Sequence, residues 1–432
     1  MELSIIAEKA GDGEIKVIKG AGKTGLFGAL CLFLLLGSFR PLTASAAGET
    51  VAANDARIRY LGRWDITDGV ASGYFESGLE LAFTGTSIAV DFAAKSGYLY
   101  QIDGGAYTDL TSAKGIQILA QGLDNGEHTL KLYARFEGAC PRIAGYRLDD
   151  GAQLKTPAEK PTVEFIGDSI TVGWVGRDYP RHNQFGSSYA LLAGEKLGWN
   201  ATAVAFGGIT LVPGSGSPDS GGMSARYLRL GEYSAGEAAE KSWDTARYTP
   251  DTVVINLGTN DSAADADFET AYVAFLEQLR GYYPEARLAA MTPFGGKYRE
   301  AIRKAVRTRS EAGDTAVEFV DTTGWIGAGD TTDGVHLTVQ AQQRAADRLA
   351  AALVPDADGE SSVSGNSSVS AVPAPVTTAP PAASSGFDAG FWGPVLGAAG
   401  GGVLLIGGVI VLLAVMSRRS SVKEETNDDQ HG

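Results

Sequence analysis

A serine, a histidine and an aspartate in two short motifs could together form a nucleophilic catalytic site. Ser169 stands in Gly167-Asp168-Ser169-Ile170 after a short apolar run, and its hydroxyl needs a base within hydrogen-bonding distance. His336 is the candidate base, because an imidazole titrates near neutral pH. Asp333 can fold back to that ring, fix its tautomer and stabilise its protonated form. The alternative for Asp168 and Ser169 is helix capping, which both residue types favour.

Two further motifs could donate hydrogen bonds to the oxyanion of an acyl-transfer intermediate. Gly207-Gly208 ends a block after a predicted strand, where a backbone N–H can approach a ligand closely. Asn260, in Gly258-Thr259-Asn260-Asp261, follows the next predicted strand and carries a side-chain amide. The alternatives are a strand-to-loop turn for the glycines and helix capping for Asn260-Asp261. One shared site explains four motifs in strand-end or pre-helix loops better than four coincidences.

The sequence offers few competing bases, because it contains only four histidines. His431 lies in the C-terminal tail, and His128 lies in a predicted strand, where a structural or exposed role is expected. His182 follows the nucleophile in a predicted loop, where it either touches substrate or is a surface residue without a role. His336 therefore stays the candidate base.

Residues 160–354 predict strands that alternate with helices. Short apolar runs at 163–166, 252–256, 288–291 and 317–320 are typical of strands buried on both faces. Helix-like segments at 187–197, 267–281, 297–312 and 338–353 separate or follow them. This order predicts a parallel sheet covered by helices on both faces, with ligands at the carboxyl ends of its strands.

Residues 50–155 have a different pattern. Four short β-type runs are predicted to be strands, at 79–83, 87–92, 98–102 and 128–133. Gly85, Asp103-Gly104-Gly105 and Asp124-Asn125-Gly126 separate them as turn residues. The pattern predicts a separate all-β domain, either a β-sandwich or a jelly roll.

The four motifs together resemble the GDSL/SGNH hydrolase superfamily, which is named after a serine, a glycine, an asparagine and a histidine. Ser169, Gly208, Asn260 and His336 match these positions in the same order. The resemblance covers residues 160–354 and implies a three-layer hydrolase domain. Two neighbours differ from the usual pattern: Ile170 replaces leucine, and Leu337 stands where many relatives carry proline.

A β-rich domain directly ahead of such a hydrolase is similar to carbohydrate esterase family 2. That family pairs a jelly roll with an SGNH domain and removes acetyl groups from xylan or glucomannan. The resemblance implies an acetylated polysaccharide or oligosaccharide as substrate, in a cleft near both domains. It also implies an oxyanion hole formed by the Ser169 N–H, the Gly208 N–H and the Asn260 amide. Some members lack the acid of the triad, whereas Asp333 is present here.

Trp325 lies just ahead of the Asp333–His336 motif and has two interpretations. It either stacks on a sugar ring of the substrate or covers the hydrophobic core. Two other functions also stay open: a non-catalytic carbohydrate-binding protein, and an esterase for an O-acetylated cell-envelope polysaccharide or peptidoglycan. A lipase is disfavoured, because no long apolar segment suited to a lid is evident.

The composition excludes several other classes. The formal net charge of the 432 residues is −15 and no basic cluster occurs in the central region, which argues against a nucleic-acid partner. There are two cysteines, Cys31 and Cys140, and no cluster of potential ligands, so neither a metal nor another cofactor is expected.

The two ends of the chain carry targeting signals. Residues 1–47 are predicted to hold a secretion signal, with an apolar run from Leu26 to Leu36 and Ala44-Ser45-Ala46 for cleavage. Because Arg40 follows the apolar run, a retained anchor is the alternative. Residues 355–389 predict an extended linker rich in proline, serine and alanine, and the uncharged residues 391–416 predict a transmembrane helix.

Arg418 and Arg419 follow that helix and place the tail, residues 417–432, in the cytoplasm by the positive-inside rule. The expected product is a single-pass protein whose catalytic region lies at the cell surface.

Overall fold

The computed structural model describes residues 48–137, 139–178, 182–215, 222–230 and 241–354. The predicted secretion signal within residues 1–47 lies outside these ranges. So do the predicted linker, the predicted membrane helix at 391–416 and the tail. Within the ranges described, every helix is too short or too polar to cross a bilayer.

The first part of the described chain is all-β, which confirms the predicted class. Its strands are β1 (Thr50–Ala52), β2 (Arg59–Thr67), β3 (Val70–Ile102), β4 (Thr108–Ala134), β5 (Arg142–Leu148) and β6 (Leu154–Lys155). β3 pairs antiparallel with β2, β4 and β6, and parallel with β5. Alternate residues of β3, such as Leu79, Leu81 and Phe83, are fully buried in the core of this β domain.

The separate strands predicted at 79–83, 87–92 and 98–102 are wrong, because the three runs belong to the one long strand β3. Gly85 adopts a left-handed φ of 113°, and the pairing with β4 shifts between Gly85 and Ser87. The glycine therefore bends the strand through a bulge instead of ending it, since a bulge preserves the hydrogen bonds on both sides. Gly126, expected in a turn, pairs with Gly85 inside β4.

The second part is an α/β domain. Its sheet contains β7 (Thr162–Asp168), β8 (Asn200–Phe206), β11 (Thr252–Asn256), β12 (Arg287–Met291) and β13 (Val317–Val320), and β9 (Arg229–Leu230) pairs separately with β10 (Lys241–Ser242). The described helices are α1 (Ser169–Val172), α2 (Tyr189–Leu197), α3 (Gly222–Arg226), α4 (Asp265–Tyr282), α5 (Arg299–Glu311) and α6 (Val339–Leu353). The sheet order is β8-β7-β11-β12-β13, and these five strands are parallel.

The helices cover the sheet on both faces. Phe165 of β7 packs in a core cluster with residues of α2 and α6, whereas its neighbour Ile166 packs in a second cluster with residues of α4 and α5. Successive side chains of a strand point to opposite faces, so a strand between two helical layers must be apolar throughout. The predicted three-layer arrangement follows from this burial.

The β domain contacts the α/β domain along β8 and β7. Glu76 of β3 pairs with Ala203 of β8, which joins the two sheets. Lys131 of β4 forms an ion pair of 2.7 Å with Glu195 of α2. Arg63 of β2 lies 3.7 Å from Glu164 of β7, and both side chains are fully buried. These contacts pack the β domain against β7, β8 and α2.

Candidate active site

Ser169 lies at the point where β7 ends and α1 begins. Asp168 is the N-cap of α1, and its Oδ1 accepts a hydrogen bond of 3.0 Å from the Ile170 N–H. The helix-capping interpretation is thus confirmed for Asp168. The Ser169 hydroxyl does not cap the helix. β7 lies between β8 and β11, which are the next two strands of this sheet along the chain. The strand order therefore reverses direction at β7, and open α/β sheets bind ligands at such a switch point.

Gly167 allows the close packing at this junction. It lies within β7, and a Cβ at this position would overlap the Thr171 side chain. The glycine allows α1 to pack directly against the strand that it follows. The close approach therefore fixes the direction in which Ser169 leaves the sheet.

The three predicted catalytic side chains meet in the structure. The Ser169 Oγ lies 2.9 Å from the His336 Nε2. The His336 Nδ1 lies 2.7 Å from the Asp333 Oδ2, and the Asp333 Oδ1 accepts the backbone N–H of His336 at 2.9 Å. Partial burial alone would raise the pKa of Asp333, but the hydrogen bonds from the His336 backbone and ring hold this pKa below its usual value. Asp333 is therefore a carboxylate at neutral pH.

The His336 loop, residues 330–338, is fastened to the segment that follows the nucleophile. The Thr332 N–H donates to the His336 carbonyl at 2.9 Å, and the Thr332 hydroxyl donates to the Val175 carbonyl. Asn183 is buried, accepts the Val175 N–H at 2.8 Å and donates to the Gly176 carbonyl at 2.8 Å. These bonds limit the positions that the imidazole can take relative to Ser169.

The predicted oxyanion donors lie in two connected loops. Gly208 has a left-handed φ of 78°, and the Asn260 Nδ2 donates to the Ile209 carbonyl at 3.0 Å. An amide nitrogen carries two hydrogens, so Asn260 keeps a second donor. The buried Asp261 accepts the Leu211 N–H at 3.0 Å and so ties the two loops together.

Of the two adjacent glycines, the backbone of Gly207 already has a partner. Its N–H donates to a carboxyl oxygen of Glu137 in the segment after β4. In the part of the chain that the structure describes, the Gly208 N–H has no such acceptor. The geometry therefore favours Gly208 over Gly207 as the donor, as the motif position also suggested.

The other predicted residues differ in their placement. Trp325 is partly buried, and its ring centre lies 6.4 Å from that of Phe294 at the edge of the core. The core-covering interpretation is therefore satisfied, while sugar stacking stays a prediction. His128 is buried and bonded through Nδ1 to Asp103 at 2.6 Å, a structural role. His182 is exposed.

Two residues beside the site were missed from the sequence. The Trp174 ring lies 6.3 Å from the His336 ring at an angle of 71°, and its position five residues after Ser169 was a visible signal. Glu137 had no comparable signal, because it comes from the β domain and belongs to none of the four motifs.

Comparison with known proteins finds a matching family model for each of the two domains. Residues 60–157 match the model of the carbohydrate esterase 2 N-terminal family. Residues 165–344 match the GDSL-like Lipase/Acylhydrolase family. The first match covers most of the β domain, and the second contains Ser169, Gly208, Asn260 and His336.

The chain is also similar to named esterases. The chain is 29% identical over 331 residues to the cellulase/esterase CelE of Acetivibrio thermocellus, a match that covers 71% of this chain and 40% of that protein. It therefore spans less than half the length of this relative. It is 26% identical over 265 residues to an acetylxylan esterase/glucomannan deacetylase of Cellvibrio japonicus, covering 56% of this chain and 72% of the relative.

A solved structure has the same fold. It is a family two carbohydrate esterase from Clostridium thermocellum in complex with cellohexaose, 27% identical to this chain, with a TM-score of 0.59. The match covers 68% of this chain and 98% of the solved one. The resemblance to family 2 carbohydrate esterases inferred from the motifs is thus confirmed.

Proposed function

We propose that this protein removes O-acetyl groups from polysaccharides. The premise is that residues 60–157 and 165–344 are the two domains of a family 2 carbohydrate esterase. The observation that carries the proposal is the continuous chain of hydrogen bonds from Ser169 through His336 to Asp333. A serine hydroxyl, an imidazole and a carboxylate in this order are the apparatus of acyl transfer.

Acylation begins when the Ser169 hydroxyl attacks the acetyl carbonyl. The His336 Nε2 takes the hydroxyl proton, and the Asp333 carboxylate stabilises the imidazolium through Nδ1. The carbonyl oxygen becomes an oxyanion that accepts hydrogen bonds from the Ser169 N–H, the Gly208 N–H and the Asn260 amide. The intermediate collapses, the sugar hydroxyl leaves with the proton from His336, and Ser169 carries the acetyl group.

Deacylation repeats these steps with water as the nucleophile. His336 removes a proton from the water, whose oxygen attacks the acetyl carbonyl, and the same donors hold the second oxyanion. The intermediate collapses, the proton passes from His336 to the Ser169 oxygen, and acetic acid leaves and ionises in solution. Each catalytic group ends the cycle in its starting protonation state.

The direct test is the variant Ser169→Ala assayed with p-nitrophenyl acetate. Removal of the nucleophile should lower kcat on the order of 10⁶-fold, since the triad acts as a unit. Thermal unfolding should match that of the wild type, because the change leaves the Asp168 cap and α1 in place. Hydrolysis near the wild-type rate in a folded Ser169→Ala protein would reject Ser169 as the nucleophile. No hydrolysis above background by the wild type would favour a non-catalytic carbohydrate-binding role.

The substrate class follows from the relatives, of which one is named for xylan and glucomannan and another binds cellohexaose. We propose a β-1,4-linked, acetylated plant polysaccharide as the substrate. Acetate release from acetylated xylan, acetylated glucomannan and O-acetylated peptidoglycan should be highest for one of the two plant polymers. A preference for peptidoglycan would instead support the alternative, an esterase that acts on the cell's own envelope.

Secretion and anchoring are part of the same proposal. They are supported by the apolar run near the N-terminus and by the uncharged residues 391–416 followed by Arg418 and Arg419. Expression of the full chain should place the protein in the membrane fraction, with the hydrolase domain accessible to protease added outside intact cells. Recovery in the soluble fraction within the cell would contradict this part.

A further inference from the structure

Glu137, from the β domain, forms a hydrogen bond to the loop that carries Gly208. Its Oε2 accepts the Gly207 N–H, and a Cβ added at Gly207 would lie 3.0 Å from the Glu137 Oε1. The carboxyl group therefore packs directly on the backbone of this loop. Since Gly207 and Gly208 are adjacent, the orientation of the first residue constrains the N–H of the second.

A second carboxyl group, Glu76, is fully buried close to Glu137. Within the described residues, neither of its oxygens has a hydrogen-bond partner. Burial raises the pKa of Glu76 well above its usual value, and the charge of Glu137 adds to this rise. Because an unpaired buried carboxylate is very costly, burial favours the protonated form of Glu76.

The next carboxyl group in this direction is Asp168, the N-cap beside the nucleophile. Burial raises the pKa of Glu137, the Gly207 N–H lowers it, and the charge of Asp168 raises it again. Burial likewise raises the pKa of Asp168, while hydrogen bonds from the Ile170 N–H and from Thr259 lower it. The charge of Glu137 thus opposes ionisation of Glu76, and the charge of Asp168 opposes ionisation of Glu137.

We propose that Glu137 is a positioning residue and Glu76 its neutral partner, and that the pair holds the Gly207–Ile209 loop so that the Gly208 N–H points at the oxyanion. Glu137 supplies the acceptor that Gly207 needs. Glu76 keeps its proton, so the pair carries one negative charge instead of two. The inference rests on the proposed esterase function, and it gives the β domain a direct part in completing the site of the α/β domain.

Variants of Glu137 test the positioning role in the full chain. Glu137→Ala removes the acceptor and should lower kcat for p-nitrophenyl acetate about 10–100-fold with KM within about 2-fold, because a displaced oxyanion donor acts on the transition state. Glu137→Gln keeps an acceptor oxygen and should restore kcat to within about 5-fold of the wild type. Glu195→Gln, which breaks a different contact between the domains, is the matched control and should keep wild-type kcat.

The variant Glu76→Gln tests the role of Glu76 through the pH dependence of kcat and of folding stability. As pH rises through the raised pKa of Glu76, the wild type acquires a second buried charge and loses both kcat and folding stability. A raised folded-state pKa gives stability that is fully present below the unfolded-state pKa and is lost as pH rises from there through the folded-state pKa. Glu76→Gln cannot ionise, so its alkaline decline should be weaker in both measurements.

The outcomes separate this inference from the proposed function. If the wild type hydrolyses the ester but Glu137→Ala does so equally well, or if Glu76→Gln and the wild type share one alkaline decline, the inference is overturned while the esterase stands. If the wild type shows no hydrolysis, the proposed function fails. Infrared spectra at neutral pH then decide on Glu76: a protonated carboxyl band that Glu76→Gln removes supports the neutral partner, and its absence rejects it.

Discussion

The two sides of the site place their carboxyl groups in opposite environments, one exposed to solvent and one buried. On the His336 loop, Asp333 is about half exposed, with 47% of its side chain accessible, and hydrogen bonds keep its pKa low. Behind the strand ends, Glu76 and Asp168 are fully buried and their pKa values are raised. The exposed carboxylate must stay charged because it faces an imidazole that becomes protonated. Burial favours the protonated form of the buried groups, which limits negative charge near the oxyanion.

Asp333→Asn removes the charged carboxylate of the His336 loop. It should lower kcat more than any other change except loss of the nucleophile. The amide can still contact His336 but no longer balances the imidazolium, so kcat should fall about 10³–10⁴-fold with KM little changed. Steady-state hydrolysis of p-nitrophenyl acetate measures both values. A loss below about 10-fold would mean that Ser169 and His336 suffice as a dyad.

Asn260→Ala removes one donor on the oxyanion side and should lower kcat about 10²–10³-fold. Part of the loss reflects the bond to the Ile209 carbonyl, which holds the Gly207–Ile209 loop. Asn260→Asp is the informative companion, because a carboxylate cannot donate and repels the oxyanion. It should be at least as impaired as Asn260→Ala, and higher activity in Asn260→Asp would remove Asn260 from the oxyanion hole.

The same contrast predicts how pH changes the contribution of Asp333 to folding stability. The lowered pKa of Asp333 gives stability that is present above the unfolded-state value near 4 and is lost as pH falls through the folded-state pKa. Asp333→Asn should therefore destabilise the protein at pH 7 by more than at pH 3. Thermal unfolding at the two pH values measures this, and an equal shift at both would contradict the charge interaction.

Trp325→Ala should have the smallest effect and concerns only the polymer. If the ring stacks on a sugar, its loss should cost about 0.5–1.5 kcal/mol of binding, which raises KM for an acetylated polysaccharide about 2–10-fold. KM for p-nitrophenyl acetate should stay unchanged, because that ester has no sugar. Equal effects on both substrates would instead assign Trp325 to the core, where it already contacts Phe294.

The sequence predicted the α/β domain better than the β domain for a physical reason. The strand β11 was expected at 252–256 and is found at Thr252–Asn256, since a short run buried on both faces has sharp ends. In β3, Gly85 was read as a turn, because a glycine that ends a strand and one that bends it look alike in sequence. Only the pairing with β4, formed over long sequence distances, separates the two.

The site shows the same limit. Ser169, Asp333, His336 and Asn260 stand in local motifs, so their types and spacing were sufficient to select them. Glu137 and Glu76 stand in no motif, and their importance arises from contacts between two domains that only the folded structure brings together.

The central claim is that His336 activates Ser169, and covalent labelling tests it most directly. A fluorophosphonate forms a phosphorus–oxygen bond with an activated serine and releases fluoride. Mass spectrometry of the labelled full chain should find a single adduct, on Ser169, and His336→Ala should form it at least about 10³-fold more slowly. An adduct on another residue, or equal labelling of Ser169 in His336→Ala, would contradict the account.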